Sequence, residues 1–421
     1  MFYTAILYIF NILSSRKMFE GGKIVKKTVL KAFFKSIHGV DFRVVFWDGE
    51  TIDYGTGKPP MAIIFNRELP FNFNLADPAL AFGEAYMDGI IDFEGDLEEI
   101  LLIIKRNRDI LISGDLKKKL FSAFQNIGSL DSRQRQKQNI QHHYDLGNDF
   151  FALWLDQTMS YSCAYFRDPG DSLTNAQIQK IDLILSKLQL KPGERLLDIG
   201  CGWGWLIIRA AQQFKVSALG ITLSQEQYNA VNLRIKELGL SDRVEVRLQN
   251  YLELPDREQF DKVVSVGMFE HVGRENLGAY MDKVHKVVVP GGLSMLHTIT
   301  GMEERPVNSW VEKYIFPGGY IPSLRETIWL LPQYDFHLLH AESLRMHYAM
   351  TLDRWHENFS KQKDIIKNKL GERFIRMWSL YLRGCAANFR VTGLNVYQLL
   401  FSRGLNNSSL PLTMENVYKQ G

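Results

Sequence analysis

The chain has 421 residues and a formal net charge of +3, with 46% hydrophobic and 23% charged residues. Its length suits two domains, or one large and one small, and the hydrophobic share suffices for buried cores. The charge balance gives no case for nucleic acid, while three cysteines, Cys163, Cys201 and Cys385, are too few and scattered for a disulfide framework or a metal site and fit a reducing cytoplasm.

The first fifteen residues, MFYTAILYIFNILSS, carry no charge. A membrane-crossing helix needs about 20 apolar residues, and a secretory signal carries its charges ahead of the apolar run, not behind it. Residues 1–19 are read as an apolar N-terminal extension ahead of an alternative start at Met18, or else as an interfacial anchor. Lys23, Lys26, Lys27, Lys31 and Lys35, and the run Lys117, Lys118 and Lys119, form basic clusters. Such clusters attract anionic headgroups or are ordinary solvated faces. Residues 20–125 read as a separate α+β unit, with strands at Val40–Trp47 and Met61–Phe65 and helices at Pro78–Met87 and Asp96–Asn107. Residues 126–141, polar and basic from Asp131 to Gln141, read as a linker ahead of a second domain over 142–421.

From Lys191 onward, strand and helix signals alternate. Strands are expected at Val216–Leu223, Val244–Leu248, Lys262–Val266 and Leu293–Thr298, with Ser343–His347 and Val396–Phe401 closing the sheet. Ser224 opens a helix through Leu238, and Gln227 completes a capping box with it. This alternation implies an α/β fold, a doubly wound and mainly parallel sheet with helices on both faces. Ligands then bind at the carboxyl ends of the strands, where Asp198, Thr222, Asn250 and Glu270 fall. Gly301 to Leu331 has no place in the sheet and reads as a lid or substrate-facing insertion.

The most informative stretch is LLDIGCGWGWL, Leu196 to Leu206. An apolar strand ends in an acid, and Gly200, Gly202 and Gly204 follow at alternate positions. Glycine there admits turn conformations and close approach of a ligand to the backbone, and the following helix offers free N–H donors. The spacing fits neither the dinucleotide fingerprint nor the phosphate loop. It resembles the first motif of class I S-adenosylmethionine-dependent methyltransferases, whose cofactor is a sulfonium cation without phosphate. Around it stand HHYDLGNDFFALWLDQTMSYSCAYF (His142–Phe166), GITLSQEQ, SVGMFEHVG, LHTIT and KYIFPGGYIPS. This ordered set, from about Asn139 to Gly404, resembles the cyclopropane-fatty-acyl-phospholipid synthases and the related mycolic acid cyclopropane synthases. AFGEAYMDGIID (Ala81–Asp92) resembles their small N-terminal domain, linked to lipid binding and dimer contacts.

The resemblance implies a Rossmann-like methyltransferase domain. It also implies a homodimeric enzyme, cytoplasmic and peripheral to the membrane, that takes a methylene from S-adenosylmethionine to an unsaturated phospholipid acyl chain. The cofactor-binding set is Asp198, Gly200, Cys201, Gly202, Trp203 and Gly204, with Tyr161 and Ser162 covering it, Thr222, Leu223, Ser224 and Gln227 near the ribose, and Gln249 and Asn250 near the adenine. Many methyltransferases place a ribose-binding acid after the second strand; here Thr222-Leu223-Ser224 stand there, and the family's TLSQEQ-like segment makes Gln227 the residue expected to reach the ribose. Cyclopropanation passes through a carbocation, so it needs a dry site, aromatic faces and a base beside the transferred methyl. In the family that base is a bound bicarbonate ion, whose cradle corresponds here to Cys163, Glu270, His297 and Tyr348 with the backbone of Ile299. Cys385, in GCAANFR, is a further catalytic candidate, although a helical cysteine is usually a small buried apolar group. Aromatic residues including Tyr144, Phe150, Phe151 and Trp154 crowd the matched motifs. Two alternatives remain: a related lipid methyltransferase giving a methyl-branched or methylidene product, and a non-catalytic lipid-binding protein with a retained fold.

Overall fold

In the computed structural model, residues 22–70, 73, 77–106, 146–406 and 411–419 are described. Residues 1–19, Lys117–Lys119, the linker over 126–141 and Tyr144 lie outside them. The chain divides into two compact units, Met1–Ile127 and Gly128–Gly421.

The first unit holds α1 (Gly22–Lys35), β1 (Phe42–Val45), β2 (Thr51–Tyr54), β3 (Ala62–Phe65), α2 (Pro78–Met87), β4 (Ile91–Glu94) and α3 (Leu97–Arg106). Its sheet runs β2-β1-β3-β4, with the central β1 and β3 parallel and both outer pairs antiparallel. Phe34, Phe42, Phe46 and Phe65 fill the core, and Phe46 stacks on Phe65 at 5.7 Å. Asp77 caps α2 by accepting from the Leu80 amide, and Pro78 supplies its first turn. The expected strands and helices are present within a residue or two. β2 and β4 were not expected, since four-residue strands of mixed polarity such as IDFE carry little alternation to read. The basic character of α1 is partly spent internally: Lys27 pairs with Asp48 and with Glu50 at 2.5 Å, and Lys31 with Glu50 at 2.6 Å.

The second unit opens with the short α4 (Asn148–Ala152) and α5 (Leu173–Lys187). A repeating pattern follows: β5 (Arg195–Ile199), α6 (Trp205–Phe214), β6 (Ser217–Thr222), α7 (Gln225–Glu237), β7 (Val244–Leu248), β8 (Phe260–Val266), α8 (Leu277–Val287) and β9 (Val288–Thr300). The inserted stretch carries β10 (Arg305–Pro306), α9 (Ser309–Tyr314), β11 (Tyr320–Ile321) and α10 (Leu324–Leu330). Then come β12 (Phe336–Ser343), α11 (Arg345–Lys361), α12 (Lys363–Val391), β13 (Asn395–Arg403) and α13 (Glu415–Lys419).

Seven strands form one sheet in the order β12-β13-β9-β8-β5-β6-β7. All pairs from β9 to β7 are parallel, and β13 runs antiparallel to both β9 and β12. Alternate residues of each strand feed opposite faces. Leu196, Met295 and Leu400 join the core under α5, α6 and α7, whereas Leu197, Leu296 and Phe401 join the core under α8. This is the expected doubly wound α/β sheet. The strand order reverses between β5 and β8, so a crevice opens beyond their carboxyl ends.

Two expectations need correction. Ser343–His347 is not a strand: the edge strand is β12, ending at Ser343, and α11 starts at Arg345. β12 (FHLLHAES) lies at the sheet edge and is half solvated, so its apolar positions do not alternate cleanly. The capping box at α7 is only half made: Ser224 Oγ accepts from the Gln227 amide at 3.3 Å, but Gln227 Oε1 accepts from Thr222 Oγ1 at 2.7 Å. The strand-end threonine outcompetes the reciprocal bond. Gly301 to Leu331 lies outside the main sheet, as expected, and carries its own two-stranded ribbon.

Candidate active site

The glycine turn builds the floor of a cleft at the carboxyl ends of β5, β6 and β8. Gly200, Gly202 and Gly204 all have positive φ, at +84°, +54° and +80°. At Gly204 a Cβ would come within 2.7 Å of Val231 on α7, so the turn needs glycine for packing as well as conformation. Cys201 packs onto Gly220 of β6, where a Cβ would meet its sulfur at 2.8 Å.

Of the expected cofactor residues, Tyr161, Ser162, Asp198, Gly200, Cys201, Gly202, Trp203, Gly204, Thr222, Leu223, Gln227 and Gln249 line this cleft. Ser224 does not line it and caps α7. Asn250 is buried and caps the turn after β7, with its Oδ1 accepting from the Leu252 amide at 3.0 Å. Trp203 is fixed by a 2.9 Å bond from its Nε1 to Asn148 Oδ1, and packs on Phe151 at 5.7 Å. Tyr161 sits among Phe151, Trp154 and Trp355, with its hydroxyl 2.8 Å from that of Tyr381.

Asp198 is buried, and its Oδ1 has no hydrogen-bond partner. Burial pushes its carboxyl up to about 7, against the opposing field of Lys180. Lys180 also lines the cleft, unexpected from the sequence. It donates to Ser162 Oγ at 3.1 Å, and burial lowers its ammonium to about 8 despite Asp156, Cys163 and Asp198. A signal for it existed: Ala176, Lys180, Ile184 and Lys187 fall at helical spacing on the buried face of α5. Two lysines on an apolar stripe call for buried partners. His271, Gly267 and Met268 were missed as cleft walls too, although all lie in the SVGMFEHVG segment. His271 is held neutral by burial, which lowers it to about 4.

The expected base site draws on segments that adjoin this wall, Glu270 lying between the lining residues Met268 and His271. Glu270 follows β8, and its Oε1 accepts from the Ile299 amide of β9 at 2.6 Å. Its Oε2 is buried without a hydrogen bond of normal geometry, although the Thr298 hydroxyl acts on the carboxyl, and His297 Nε2 is buried without a partner. Burial raises the Glu270 carboxyl and lowers His297 well below its ordinary value, with Lys180 and Lys187 adding to the latter. Tyr348, on α11, lies within electrostatic reach of Tyr161, Cys163, Cys385 and Glu270, and burial raises its hydroxyl. Cys163 directs its thiol to the Ala164 carbonyl at 3.2 Å and the Leu344 carbonyl at 3.8 Å. Burial raises both the Cys163 and Cys385 thiols, the latter to about 12, so neither is a thiolate. Among the described residues, no group of His, Cys, Asp or Glu is placed to hold a metal ion, and no helix is long and apolar enough to cross a membrane.

A family model described as mycolic acid cyclopropane synthetase matches residues 131–399, and one described as a domain of unknown function matches residues 29–115. The chain is 37% identical to a probable fatty acid methyltransferase of Pseudomonas putida, covering 91% of this chain and 98% of that one. It is 39% identical to the cyclopropane-fatty-acyl-phospholipid synthase of Escherichia coli K12, covering 83% and 90%. The solved structure of mycolic acid cyclopropane synthase CmaA1, complexed with SAH and CTAB, is similar with a TM-score of 0.60 at 36% identity, covering 63% of this chain and 98% of that one. With this sheet, this cleft and these relatives, the chain belongs to the mycolic acid cyclopropane synthetase family and is an S-adenosylmethionine-dependent methyltransferase.

Proposed function

We propose that this enzyme closes a cyclopropane ring on the cis double bond of an acyl chain in a membrane phospholipid. The observation that carries the reading is the two buried polar atoms without a hydrogen bond of normal geometry, Glu270 Oε2 and His297 Nε2, on the segments that the Ile299-to-Glu270 bond joins. When bound, S-adenosylmethionine would supply an electrophilic methyl, leaving S-adenosylhomocysteine as its C–S bond gives way to the bond to the alkene, and ring closure would release one proton from that carbon.

The chain's residues meet the needs of that proton. A buried polar atom without a partner costs about 1–3 kcal/mol, so two together favour a small ligand that both donates and accepts. A hydrogencarbonate ion suits that chemistry and supplies the base when bound. Burial raises the Glu270 carboxyl, whose Oε2 would accept from the ion's hydroxyl, and Tyr348 offers a donor to its other oxygens. The ring cluster of Phe151, Trp154, Tyr161, Trp355 and Tyr381 supplies aromatic faces for positive charge and keeps water out. Asp198 and Gln227 face the cleft for the cofactor's cationic and hydroxyl groups. The reading includes a homodimeric enzyme peripheral to the cytoplasmic membrane face, with the unit over residues 20–125 docking on lipid.

A second reading is supported by the name of the Pseudomonas relative, a fatty acid methyltransferase: a methyl-branched or methylidene product. Purified protein, labelled cofactor and vesicles of unsaturated phospholipid distinguish the outcomes. A ring adds one CH₂ to the acyl chain, a saturated branch weighs two hydrogens more, and NMR separates a ring from a methylidene of equal mass. Transfer without ring signals overturns the cyclopropane reading, and no transfer overturns the lipid substrate.

A further inference from the structure

One row of side chains crosses the sheet from its edge to the base site. Glu342 on β12 pairs in register with Gln398 on β13, and Gln398 pairs with His297 on β9. Residues directly opposite on neighbouring strands point to the same face. Lys187, the last residue of α5, reaches over this row. Its ammonium is fully buried, pairs with Glu342, and donates to Gln398 Oε1 at 2.7 Å. Gln398, itself fully buried, then turns its Nε2 to His297 Nδ1 at 3.2 Å.

Only one pattern of protons satisfies this chain. An ammonium has donors and no acceptor. It therefore takes the Gln398 carbonyl oxygen and fixes which end of the amide faces the histidine. That end is NH₂, also a pure donor, so His297 Nδ1 must accept. In a neutral imidazole one nitrogen carries the proton and the other accepts. The proton is then on Nε2, the atom that is buried and unpartnered. A second proton on Nδ1 would point at the amide hydrogens, so the imidazolium is disfavoured by contact as well as by burial.

We propose that Lys187 and Gln398 are positioning residues that lock His297 as a neutral Nε2–H hydrogen-bond donor. This rests on the bicarbonate reading above only for what the donor addresses, an anionic oxygen. His297 then holds the anion and does not itself take the substrate's proton. Glu342, on the edge strand, anchors the lysine that sets the tautomer.

The test is ¹⁵N NMR of histidine side chains in the full-length protein, with the His297 signals assigned by loss in His297→Gln. The wild type is expected to show His297 neutral with its proton on Nε2 between pH 6 and 8. A proton on Nδ1, or an imidazolium, overturns the proposal without any further variant. Gln398→Glu places an acceptor against Nδ1 and is expected to move the proton there or charge the ring. It should lower kcat by about tenfold or more while KM for S-adenosylmethionine holds. Unchanged tautomer and kcat in that variant overturn the proposal. Should that variant not fold, Lys187→Met frees the Gln398 amide to turn and is expected to give a mixture of both tautomers; a single Nε2–H form there overturns the role of the lysine. If the product proves not to be a ring while the wild type shows the Nε2–H form, the functional reading fails and the wiring stands. If a ring forms and the proton is on Nδ1, the wiring alone fails.

Discussion

Asp198 shows how a binding residue taxes the empty protein. Burial lifts its carboxyl to about 7, well above an exposed acid. The folded form therefore holds a proton that the unfolded chain gives up near pH 4. Between about pH 4 and 7 the native state binds more protons than the unfolded state, so stability of the cofactor-free protein falls as pH rises through that window. Asp198→Asn removes the penalty and is expected to raise the Tm of the empty protein at pH 8, by about 2–4 °C per kcal/mol recovered. It should weaken S-adenosylmethionine binding on the same titration. Calorimetry across pH checks both, and a Tm no higher than wild type at pH 8 contradicts the burial argument. At the base site, Glu270→Gln keeps the shape and the Ile299 contact but removes the ionisable group. Turnover should fall by about 100-fold or more with cofactor affinity unchanged in a binding titration; near wild-type turnover contradicts its part in the base site.

At the scale of elements, the turn after β5 was the most legible part of the chain because glycine spacing and a strand-end acid are local signals. Its strain is testable. Gly204→Ala puts a methyl at a left-handed position against Val231, 2.7 Å away. A non-glycine residue there costs roughly 1–3 kcal/mol before the clash is counted. Urea denaturation should show a loss of at least that size, and a variant as stable as wild type contradicts the packing argument. The doubly wound sheet was also legible, since β5, β6 and β8 are apolar runs bounded by turns. β12 was not: its solvated edge hides the period, and the boundary fell several residues late. The spacing makes Gln227 a reciprocal cap, yet Thr222 donates to its carbonyl oxygen, a competition between partners five residues apart that no local motif encodes. Lys180, Lys187 and Gln398 were missed for a related reason. Their partners lie 18 to 211 positions away, so the two lysines on the apolar stripe of α5 signal buried partners without naming them.

Over the whole molecule, the two compact units divide the work proposed for them. Deleting residues 1–127 is expected to spare cofactor binding, measured by titration, and to weaken transfer to phospholipid vesicles; equal vesicle kinetics in the deletion contradict a docking role for that unit. The three cysteines carry a consequence of another sort. Cys163 and Cys201 are buried with protonated thiols, and burial pushes the Cys385 thiol up to about 12. Alkylation needs thiolate and access, so iodoacetamide at pH 8 reaches Cys163 and Cys201 only when the fold opens. Their labelling, followed by mass spectrometry, becomes a clock for opening events in the catalytic unit. Because Cys201 lines the cofactor cleft and Cys163 does not, saturating S-adenosylmethionine should slow the first label more than the second, and the ratio of the two rates separates local loosening of the glycine turn from unfolding of the sheet.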